Sequence, residues 1–368
     1  MGFQQRIDII RAWLTVALTC VLAPFIFDKP ASASDWIYTV RPGDTLWDVS
    51  GEYLQDFDLV EALQSLNGVE DPKRLQPGTR LRVPVHWLRV QPAPVRVLHV
   101  EGEAQLDNEA RLASLTQGME LRAGDAVQTG PNATVTLLFA DGSHMVLRAN
   151  SRLEFDTLRA YGKTGMVDTR ARLLRGRAES DVKPIREPAG RFEIWTPAAV
   201  SAVRGTQFRI AVDQQTKVTR AEVVEGKVGL TADGAQALLR AGVGNMTAVG
   251  AAPQPPRPLL PAPDVSALPD RIKETPFKFT IPRLAQASAY RMQISPAAQP
   301  AIVVYDQVLA APELTSPELP SGKYRLKVRG IAADGLEGHD AEHDFKVKKS
   351  LANWPTVLLI VIGLVVAL

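Results

Sequence analysis

The fold of the first part of the chain is decided by YTVRPGDTLWDVSGEYL at residues 38–54, followed by LVEALQSLNG at 59–68 and DPKRLQPGTRLRVP at 71–84. An alternating segment precedes a Gly43-Asp44 turn, two short segments of helical periodicity follow, and a second alternating segment ends at Pro84. The sequence therefore predicts a compact β-α-α-β unit over this stretch.

Apolar residues inside this unit recur at helical spacing, which predicts that they point into a small core. These predicted core positions are Leu46, Val49, Tyr53, Leu54, Leu59, Leu63 and Leu66. Asp44 or Thr45 is predicted to cap the first helix, because a short side-chain oxygen can accept a hydrogen bond from an unpaired first-turn N–H. Any binding should then fall to the loops at the helix ends.

The unit resembles a LysM domain, a small module that binds N-acetylglucosamine chains of peptidoglycan or chitin. The resemblance rests on three short motifs in order, namely Gly43-Asp44-Thr45-Leu46 before Trp47, Asn67-Gly68, and Leu75-Gln76-Pro77-Gly78 before Leu81, Val83 and Pro84. It implies a shallow groove between two loops. The implied glycan-binding residues are Gly43, Asp44, Thr45, Leu46, Asn67, Asp71, Pro72 and Leu75. The glycines and Asn67 also fit a purely structural role in turns, and both interpretations stay open.

Length and composition bound the rest of the chain. With 368 residues, two to four domains are expected. A net charge of +2, with 22% charged and 45% hydrophobic residues, is ordinary for a globular protein and favours neither a nucleic-acid partner nor an acidic substrate. The single cysteine, Cys20, lies in an apolar run near the amino terminus, so the sequence predicts no disulfide framework and no thiolate chemistry.

Residues 1–33 have the features of a secretory signal peptide. Arg6 and Arg11 precede an apolar run over 12–27, and Ala31-Ser32-Ala33 supplies small residues before a cleavage site ahead of Ser34. An uncleaved membrane anchor is the alternative, because the run is long enough to stay in a bilayer. Periplasmic or envelope localisation is expected in both cases.

A different pattern begins after the module at 34–85. Residues 86–94 contain two prolines and are predicted to be a linker, and over 95–250 apolar residues alternate with a period of two between closely spaced turn signals. The stretch over 135–147, with Asp141-Gly142 at its centre, predicts a hairpin. An all-β domain without a sizeable helix is therefore expected.

This region resembles the periplasmic domain of FecR regulators. The resemblance rests on Gly124-Asp125 with Thr129-Gly130, Asp141-Gly142, Thr196-Pro197, Arg204-Gly205-Thr206 with Phe208, and Glu225-Gly226 with Val228. It implies an all-β domain that binds a protein partner in the periplasm. FecR regulators also carry a cytoplasmic segment that contacts a sigma factor, and here the signal peptide and the LysM-like module occupy that place.

Two further segments follow. Residues 251–272 are rich in proline and predict an extended spacer that separates domains. Over 273–349, short alternating segments separated by Pro and Gly turns predict a β-sandwich. LPSGKYRLKVRGIAADGLEG at 319–338 resembles the closing half of a fibronectin type III or immunoglobulin-like domain, which implies a fold and no function.

The chain ends on an apolar run, and residues 350–368 are a candidate transmembrane segment. The uncharged part from Trp354 onward is shorter than the roughly 20 residues that span a bilayer. A short tail anchor, a span that continues beyond Leu368 and a buried segment are the alternatives. The predicted fold is thus multidomain and mainly β, with a small βααβ module, an all-β FecR-like domain, a β-sandwich and a C-terminal apolar segment.

No pattern for catalysis, a cofactor or a metal stands out. His339 and His343 lie four apart among acidic residues, but HDAEH differs from HExxH and is predicted to form a solvated loop. The alternating arginines over 170–177 are predicted to form a solvated strand face, since no aromatic platform for nucleic acid accompanies them. The GxSxG and GxxxxGK motifs do not occur in the sequence.

The predicted function is a non-catalytic envelope protein that binds peptidoglycan through residues 38–84 and presents its β domains to a protein partner. The alternative is a membrane-anchored signalling component of the FecR type without the segment that contacts a sigma factor. An enzyme that acts on cell wall is a third class, and it requires a cleft with a catalytic acid.

Overall fold

The computed structural model describes residues 35–108 and 111–348. Strands dominate this part of the chain, which confirms the predicted mainly β, multidomain fold. Three buried apolar clusters lie in the N-terminal module, in a central barrel and in a C-terminal sandwich. The signal peptide over 1–33 and the C-terminal segment over 350–368 lie outside the described residues. Within those residues, no helix has the length and apolar content needed to cross a bilayer.

The N-terminal module has the predicted β-α-α-β order. Its elements are β1 (Asp35–Thr39), α1 (Leu46–Tyr53), a 3₁₀ turn (Phe57–Leu59), α2 (Val60–Asn67), β2 (Arg80–Pro84) and a second 3₁₀ turn (Val85–Trp87). The strands pair antiparallel, with Tyr38 opposite Leu81. The α1 helix begins at a capping box formed by Thr45 and Asp48, and α2 ends at Gly68 in the left-handed conformation.

The core of the module contains most of the predicted positions, with one exception. Leu46, Val49, Tyr53, Leu54 and Leu63 are buried, and Leu59 packs against them, whereas Leu66 is exposed. The inner face of α2 consists of Val60, Leu63 and Asn67, because Asn67 hydrogen-bonds to the backbone of β2 and fixes the rotation of the helix. Leu66 falls one position away from that face, so its predicted place in the core is wrong.

The central domain is a closed barrel of short strands. The strands are β3 (Val90–Pro92), β4 (Val95–Glu101), β5 (Ala104–Asn108), β6 (Arg111–Ser114), β7 (Glu120–Leu121), β8 (Ala126–Thr129), β9 (Thr134–Leu138), β10 (His144–Leu147), β11 (Arg152–Tyr161), β12 (Val167–Val182), β13 (Arg191–Trp195), β14 (Val200–Val203), β15 (Thr206–Val212), β16 (Thr219–Glu225), β17 (Lys227–Ala232), β18 (Ala235–Arg240), β19 (Val243–Thr247) and β20 (Arg257–Pro258). The predicted hairpin is confirmed, since β9 and β10 pair antiparallel with Leu137 opposite Met145.

The barrel strands form two sheets around one apolar core. The first sheet has the order β6-β5-β8-β11-β12-β13-β14-β17-β18, with β3 beside the far end of β11. The second sheet has the order β7-β4-β9-β10-β12-β15-β16-β19-β20. Inward-facing residues of both sheets make the core, as the period of two requires.

Strand β12 belongs to both sheets, and Gly176 lies where it passes from one to the other. Pairing with β11 ends at Arg175, and pairing with β15 begins at Gly176. Gly176 has a φ of 85°, and a Cβ atom there would lie 2.1 Å from Oγ of Ser151. Only glycine meets both conditions, so this residue allows the long strand to turn the corner.

The two predicted connecting segments are more ordered than expected. Within 86–94, Val90–Pro92 forms strand β3 on β11, and Pro92 is tolerated there because it ends the strand. Within 251–272, Arg257–Pro258 pairs with β19 and Leu259 and Leu268 are buried. The expectation that two prolines block regular structure is therefore wrong for 86–94. Within 251–272 the two-residue strand lies at the edge of its sheet, which agrees with the expectation that this segment forms no helix and no central strand.

The C-terminal sandwich packs a five-stranded sheet against a two-stranded one. Its strands are β21 (Arg271–Ile272), β22 (Lys278–Thr280), β23 (Ala287–Pro296), β24 (Tyr305–Leu309), β25 (Glu313–Thr315), β26 (Gly322–Ala332) and β27 (Ala341–Val347). The larger sheet has the order β21-β27-β26-β23-β24, and β22 pairs with β25. Phe279, Leu314 and Leu326 lie in the core between the two sheets.

Candidate functional site

Two loops of the N-terminal module lie side by side at the start of α1. The first runs over 43–46 and the second over 71–75, and the backbone N–H of Leu46 donates to the carbonyl oxygen of Pro72 over 2.9 Å. This bond joins the two loops between which the resemblance to LysM domains implies a groove. The second loop is itself a tight turn, because the carboxylate of Asp71 accepts the N–H of Lys73 and its carbonyl accepts the N–H of Arg74.

The first loop is fixed by its polar side chains. Asp44 accepts the Tyr38 hydroxyl at 2.6 Å and the backbone N–H of Arg41 at 2.7 Å. Burial and this bond to Asp44 raise the pKa of Tyr38, so the hydroxyl stays protonated. Thr45 caps α1 together with Asp48, and its hydrogen bonds lower the pKa of the Asp48 carboxyl. The loop is therefore preorganised before any ligand arrives.

The eight sequence-predicted residues fall into two groups. Gly43 and Asp71 are exposed, and Asp44, Thr45 and Pro72 are half-buried beside them. The side chains of Leu46 and Leu75 lie in the core instead of on the surface. The side chain of Asn67 is committed to the carbonyl oxygens of Leu63 and Arg82 and to the N–H of Arg82.

The arrangement offers backbone groups and short polar side chains along a shallow surface. The backbone N–H groups of Asp44, Thr45, Leu46, Lys73 and Arg74 already donate within the module. The surface therefore suits an uncharged polar chain whose hydroxyl and amide groups donate to the oxygens of these loops. Sequence reasoning treated Tyr38 only as a strand residue and missed that its hydroxyl holds Asp44. The signal that could have found this contact is the position of Tyr38 in the strand that leads directly into the Pro42-Gly43 turn.

The predicted solvated loop at 339–343 is wrong in part. His343 lies on strand β27, where its ring nitrogen is 3.2 Å from the carbonyl oxygen of Pro269. Asp340 forms an ion pair with Arg329, with 2.8 Å between Nη1 and Oδ1. Because alternate residues of a strand point to opposite faces, the side chains of this stretch face different neighbours. In the described ranges, no group of three or more His, Cys, Asp and Glu residues is placed to hold a metal ion.

The predicted solvated arginine face is also wrong at its last member. Arg172 is exposed and pairs with Asp156, but Arg177 is buried and donates to Glu222 over 2.9 Å. Between the two, Gly176 carries β12 into the second barrel sheet, whose outer face is covered by the C-terminal sandwich. The core-facing positions change from odd (Ala171, Leu173) to even (Ala178, Val182) between these two arginines, so both point away from the core. At Arg177, however, this outer face no longer meets solvent.

Arg177 belongs to a buried set of charges at the contact between barrel and sandwich, which we call the ion cluster. Its members are Arg148, Arg177, Glu179, Arg209, Glu222, Arg291, Asp306, Arg329, Glu337 and Asp340. Arg329 contacts Glu337 at 2.6 Å and also contacts Glu179 of the barrel. Guanidinium groups and carboxylates are therefore paired across the domain contact.

The charged groups in the ion cluster shift one another's pKa values. Burial disfavours the ionised carboxyl of Glu337, but Arg177, Arg291 and Arg329 outweigh it and lower its pKa. Burial likewise opposes ionisation of Glu179, and Arg148 and Arg329 hold its pKa well below its usual range. The lowered pKa values of Glu179 and Glu337 favour their ionised forms, which agrees with the ion pairs that both make with neighbouring arginines.

Comparison with known families gives two matches in the described region. Residues 38–84 match the LysM domain and residues 125–229 match FecR protein, so both resemblances seen in the sequence are confirmed. Domains of these two families act in binding and signalling. The matched ranges coincide with the β-α-α-β module and with strands of the barrel from Asp125 to Gly229.

Individual proteins share less of the chain. An uncharacterized protein of Deinococcus radiodurans is 35% identical over 57 residues, which are 16% of this chain and 22% of that protein. The crystal structure of a proposed anti-sigma factor from Parabacteroides distasonis is 15% identical with a TM-score of 0.30, covering 36% of this chain and 59% of the other. The chain thus spans less than two thirds of the length of either protein.

Proposed function

We propose that this chain is a non-catalytic protein of the bacterial cell envelope that binds N-acetylglucosamine chains of peptidoglycan through its LysM domain. The observation that carries the proposal is the adjacency of the loops over 43–46 and 71–75, joined by the hydrogen bond from Leu46 to Pro72, in a module that matches LysM. Exposed backbone of Gly43 and the half-buried side chains of Asp44, Thr45 and Pro72 contact the glycan. Leu46, Leu75 and Asn67 act indirectly, by fixing the two loops.

The barrel and the sandwich carry the second half of the proposed function. The FecR match over 125–229 supports presentation of these β domains to a protein partner in the periplasm. The LysM domain then localises the barrel at the cell wall. One such shallow site removes little ligand surface from water, so the affinity for a single glycan chain is weak.

Signalling is a second candidate, and the same FecR match favours it. In this version the chain passes the state of the envelope to a partner across the membrane. Crosslinking in cells distinguishes the two. A partner that crosslinks to the chain equally with intact and damaged wall supports a scaffold. A partner whose crosslinking changes with wall damage supports a sensor.

The test of glycan binding is co-sedimentation of the full chain with purified peptidoglycan. Thr45→Arg places bulk and charge between the loops and is expected to lower the retained fraction by about fivefold, a loss of roughly 1 kcal/mol of binding free energy. Thr45→Ser keeps the side-chain oxygen that caps α1 and should sediment like the unchanged protein.

A charge change away from the groove controls for surface effects, and Glu61→Arg is a stringent one because it raises the net charge by two where Thr45→Arg raises it by one. Glu61 lies in the first turn of α2, which follows the far end of α1, so it stands about one helix length from the groove. Glu61→Arg should leave retention unchanged. Equal retention of Thr45→Arg and Glu61→Arg, with both folded by circular dichroism, removes the groove from the proposed function.

A further inference from the structure

A cleft of about 830 Å³ lies between the barrel and the C-terminal sandwich. One wall comes from the outer face of β10, β12 and β15, and the other from β23, β26 and the chain over 299–303. The two sheets meet at the ion cluster, which closes the inner end of the cleft. This volume is typical of small-ligand sites, which measure about 300–1,000 Å³ and often lie between domains.

Two buried guanidinium groups at the inner end have unused hydrogen-bond donors. Arg148 and Arg209 both line the cleft and are each only 2% exposed. Nε of Arg148 and Nη2 of Arg209 have no hydrogen-bond partner among the described residues. Nη2 of Arg209 is 3.8 Å from Oδ2 of Asp340, a distance that fits an ion pair but is too long for a hydrogen bond. Both atoms are buried beneath the surface of the cleft that their side chains line. Buried N–H groups without an acceptor are unfavourable, so each favours an acceptor that reaches it from the cleft.

The charge balance in the cleft also favours an anion. Burial and repulsion by Arg329 lower the pKa of Arg209, which means that its neighbours do not fully compensate its charge. At the mouth, Lys183 is exposed and has no ion pair in the described part of the chain, whereas Arg325 and Lys327 share Glu342 and Arg325 also pairs with Asp344. Five Lys and Arg residues and four Asp and Glu residues line the cleft. A single carboxylate fits this small excess, and a polyanion does not.

The walls between the mouth and the inner end are neutral and amide-rich. Gln207 and Gln299 are exposed in the cleft, one on each wall, and Val146 and Ile302 lie among them. A glutamine amide offers both a donor and an acceptor, which matches the two hydrogen-bonding groups of a peptide unit. The space is larger than a lone carboxylate needs, so a chain of amide units fills the rest of it.

We propose that this cleft binds a short peptide that ends in a free carboxylate. The carboxylate lies against Arg148 and Arg209, and the peptide units lie between Gln207 and Gln299. The chemistry is shared by two sources, namely short peptides of the cell wall and the carboxyl-terminal tails of proteins. This site is separate from the glycan groove and does not depend on it.

The test is calorimetric titration of the full chain with acetyl-tetra-alanine that carries a free carboxylate, compared with the same peptide as its C-terminal amide. The acid is expected to bind more than about tenfold tighter, because the amide removes the charge that pairs with the two arginines. Equal affinities, or no binding of either peptide at millimolar concentration, overturn the proposal.

Variants outside the ion cluster locate the binding. Gln299→Trp fills the space between the two walls and should weaken binding of the acid by about tenfold or more, and Lys183→Gln at the mouth should weaken it by about threefold. Lys278→Gln, an exposed change on β22 away from the cleft, should have no effect. Unchanged binding in Gln299→Trp contradicts the assignment to this cleft.

A second arm identifies the source of the peptide. Sugar-free tetrapeptide prepared from peptidoglycan is compared with a hexapeptide of alanine that stands for a protein tail. Tighter binding of the first supports the proposal with wall peptide as the ligand, and tighter binding of the second supports it with a protein tail. Because neither probe carries a sugar, failure here is distinguishable from failure of the glycan groove.

Discussion

The two contacts that the barrel makes with its neighbours are built in opposite ways. The N-terminal module meets it through apolar packing, with Tyr161 and Met166 of the barrel completing the core of the module. The sandwich meets it through the ion cluster, in which Glu337 and Arg329 are each almost fully buried. Apolar contacts contain no group that titrates, whereas buried ion pairs depend on every partner remaining charged.

This difference indicates which contact determines the relative orientation of two domains. Charged pairs in a buried contact stabilise only the arrangement in which each guanidinium meets its carboxylate, so the barrel and sandwich have one defined orientation. That orientation also forms the cleft between them. At the module, Arg89 donates its N–H to the carbonyl of Tyr53 and Lys163 pairs with Glu52, and these few polar contacts add direction to a mainly apolar joint.

The largest expected effect tests the ionic contact. Glu337→Ala leaves Arg177, Arg291 and Arg329 without their shared carboxylate, and uncompensated buried charge typically costs about 3–5 kcal/mol of unfolding free energy. Differential scanning calorimetry of the full chain should show a lowered transition for barrel and sandwich.

The control for Glu337→Ala is Glu342→Gln, which removes a half-exposed partner of Arg325 and Lys327. It should lower the unfolding free energy by less than about 1 kcal/mol. If the two variants melt alike, the ion cluster does not hold the domains together.

A smaller effect is expected at the apolar contact. Met166 is 1% exposed, and Met166→Ala should destabilise the joint between module and barrel by about 2–4 kcal/mol through lost packing. Faster proteolytic cleavage between the module and the barrel is the expected readout. Val308→Ala, at a position that is about half exposed, should cleave at the original rate. Faster cleavage within the sandwich instead would show that Met166 acts elsewhere.

Acid separates the two contacts without any mutation. Because the folded-state pKa values of Glu179 and Glu337 are depressed, their contribution is complete above the ordinary value of 4.5 and is lost as the pH falls toward the lower folded values. At pH values below about 4.5, the midpoint temperature of unfolding of barrel and sandwich should therefore decrease, while the stability of the apolar contact between module and barrel changes little. If acid instead separates the N-terminal module from the barrel before it destabilises the barrel and sandwich, the assignment of the two contacts as apolar and ionic is wrong.

Much of the fold could be predicted from local patterns. Alternation and the Asp141-Gly142 turn predicted the β9-β10 hairpin, and helical spacing predicted most of the module core. The ion cluster could not be predicted, because the outward-facing positions of β12 change from even to odd between Arg172 and Arg177, and because the sandwich covers the outer face at Arg177. Gly176, a glycine within a long strand, was the signal that the strand changes sheets.

The candidate site was predictable in its loops but not in its side chains. The resemblance to LysM placed Leu46 and Leu75 in the groove, whereas helical spacing predicted Leu46 for the core, where its side chain lies. Motif order locates a loop, but it does not say which atoms of each residue face outward. The role of Asn67 in holding β2 depends on a contact between residues far apart in sequence.

Binding of glycan at the loops over 43–46 and 71–75 is the central claim, and amide NMR of the full chain tests it most directly. On titration with a tetramer of N-acetylglucosamine, the largest shifts are expected at the backbone amides of Gly43, Thr45 and Lys73, with the cleft between barrel and sandwich unchanged. Absence of shifts at these amides, or shifts confined to another surface, would contradict the account.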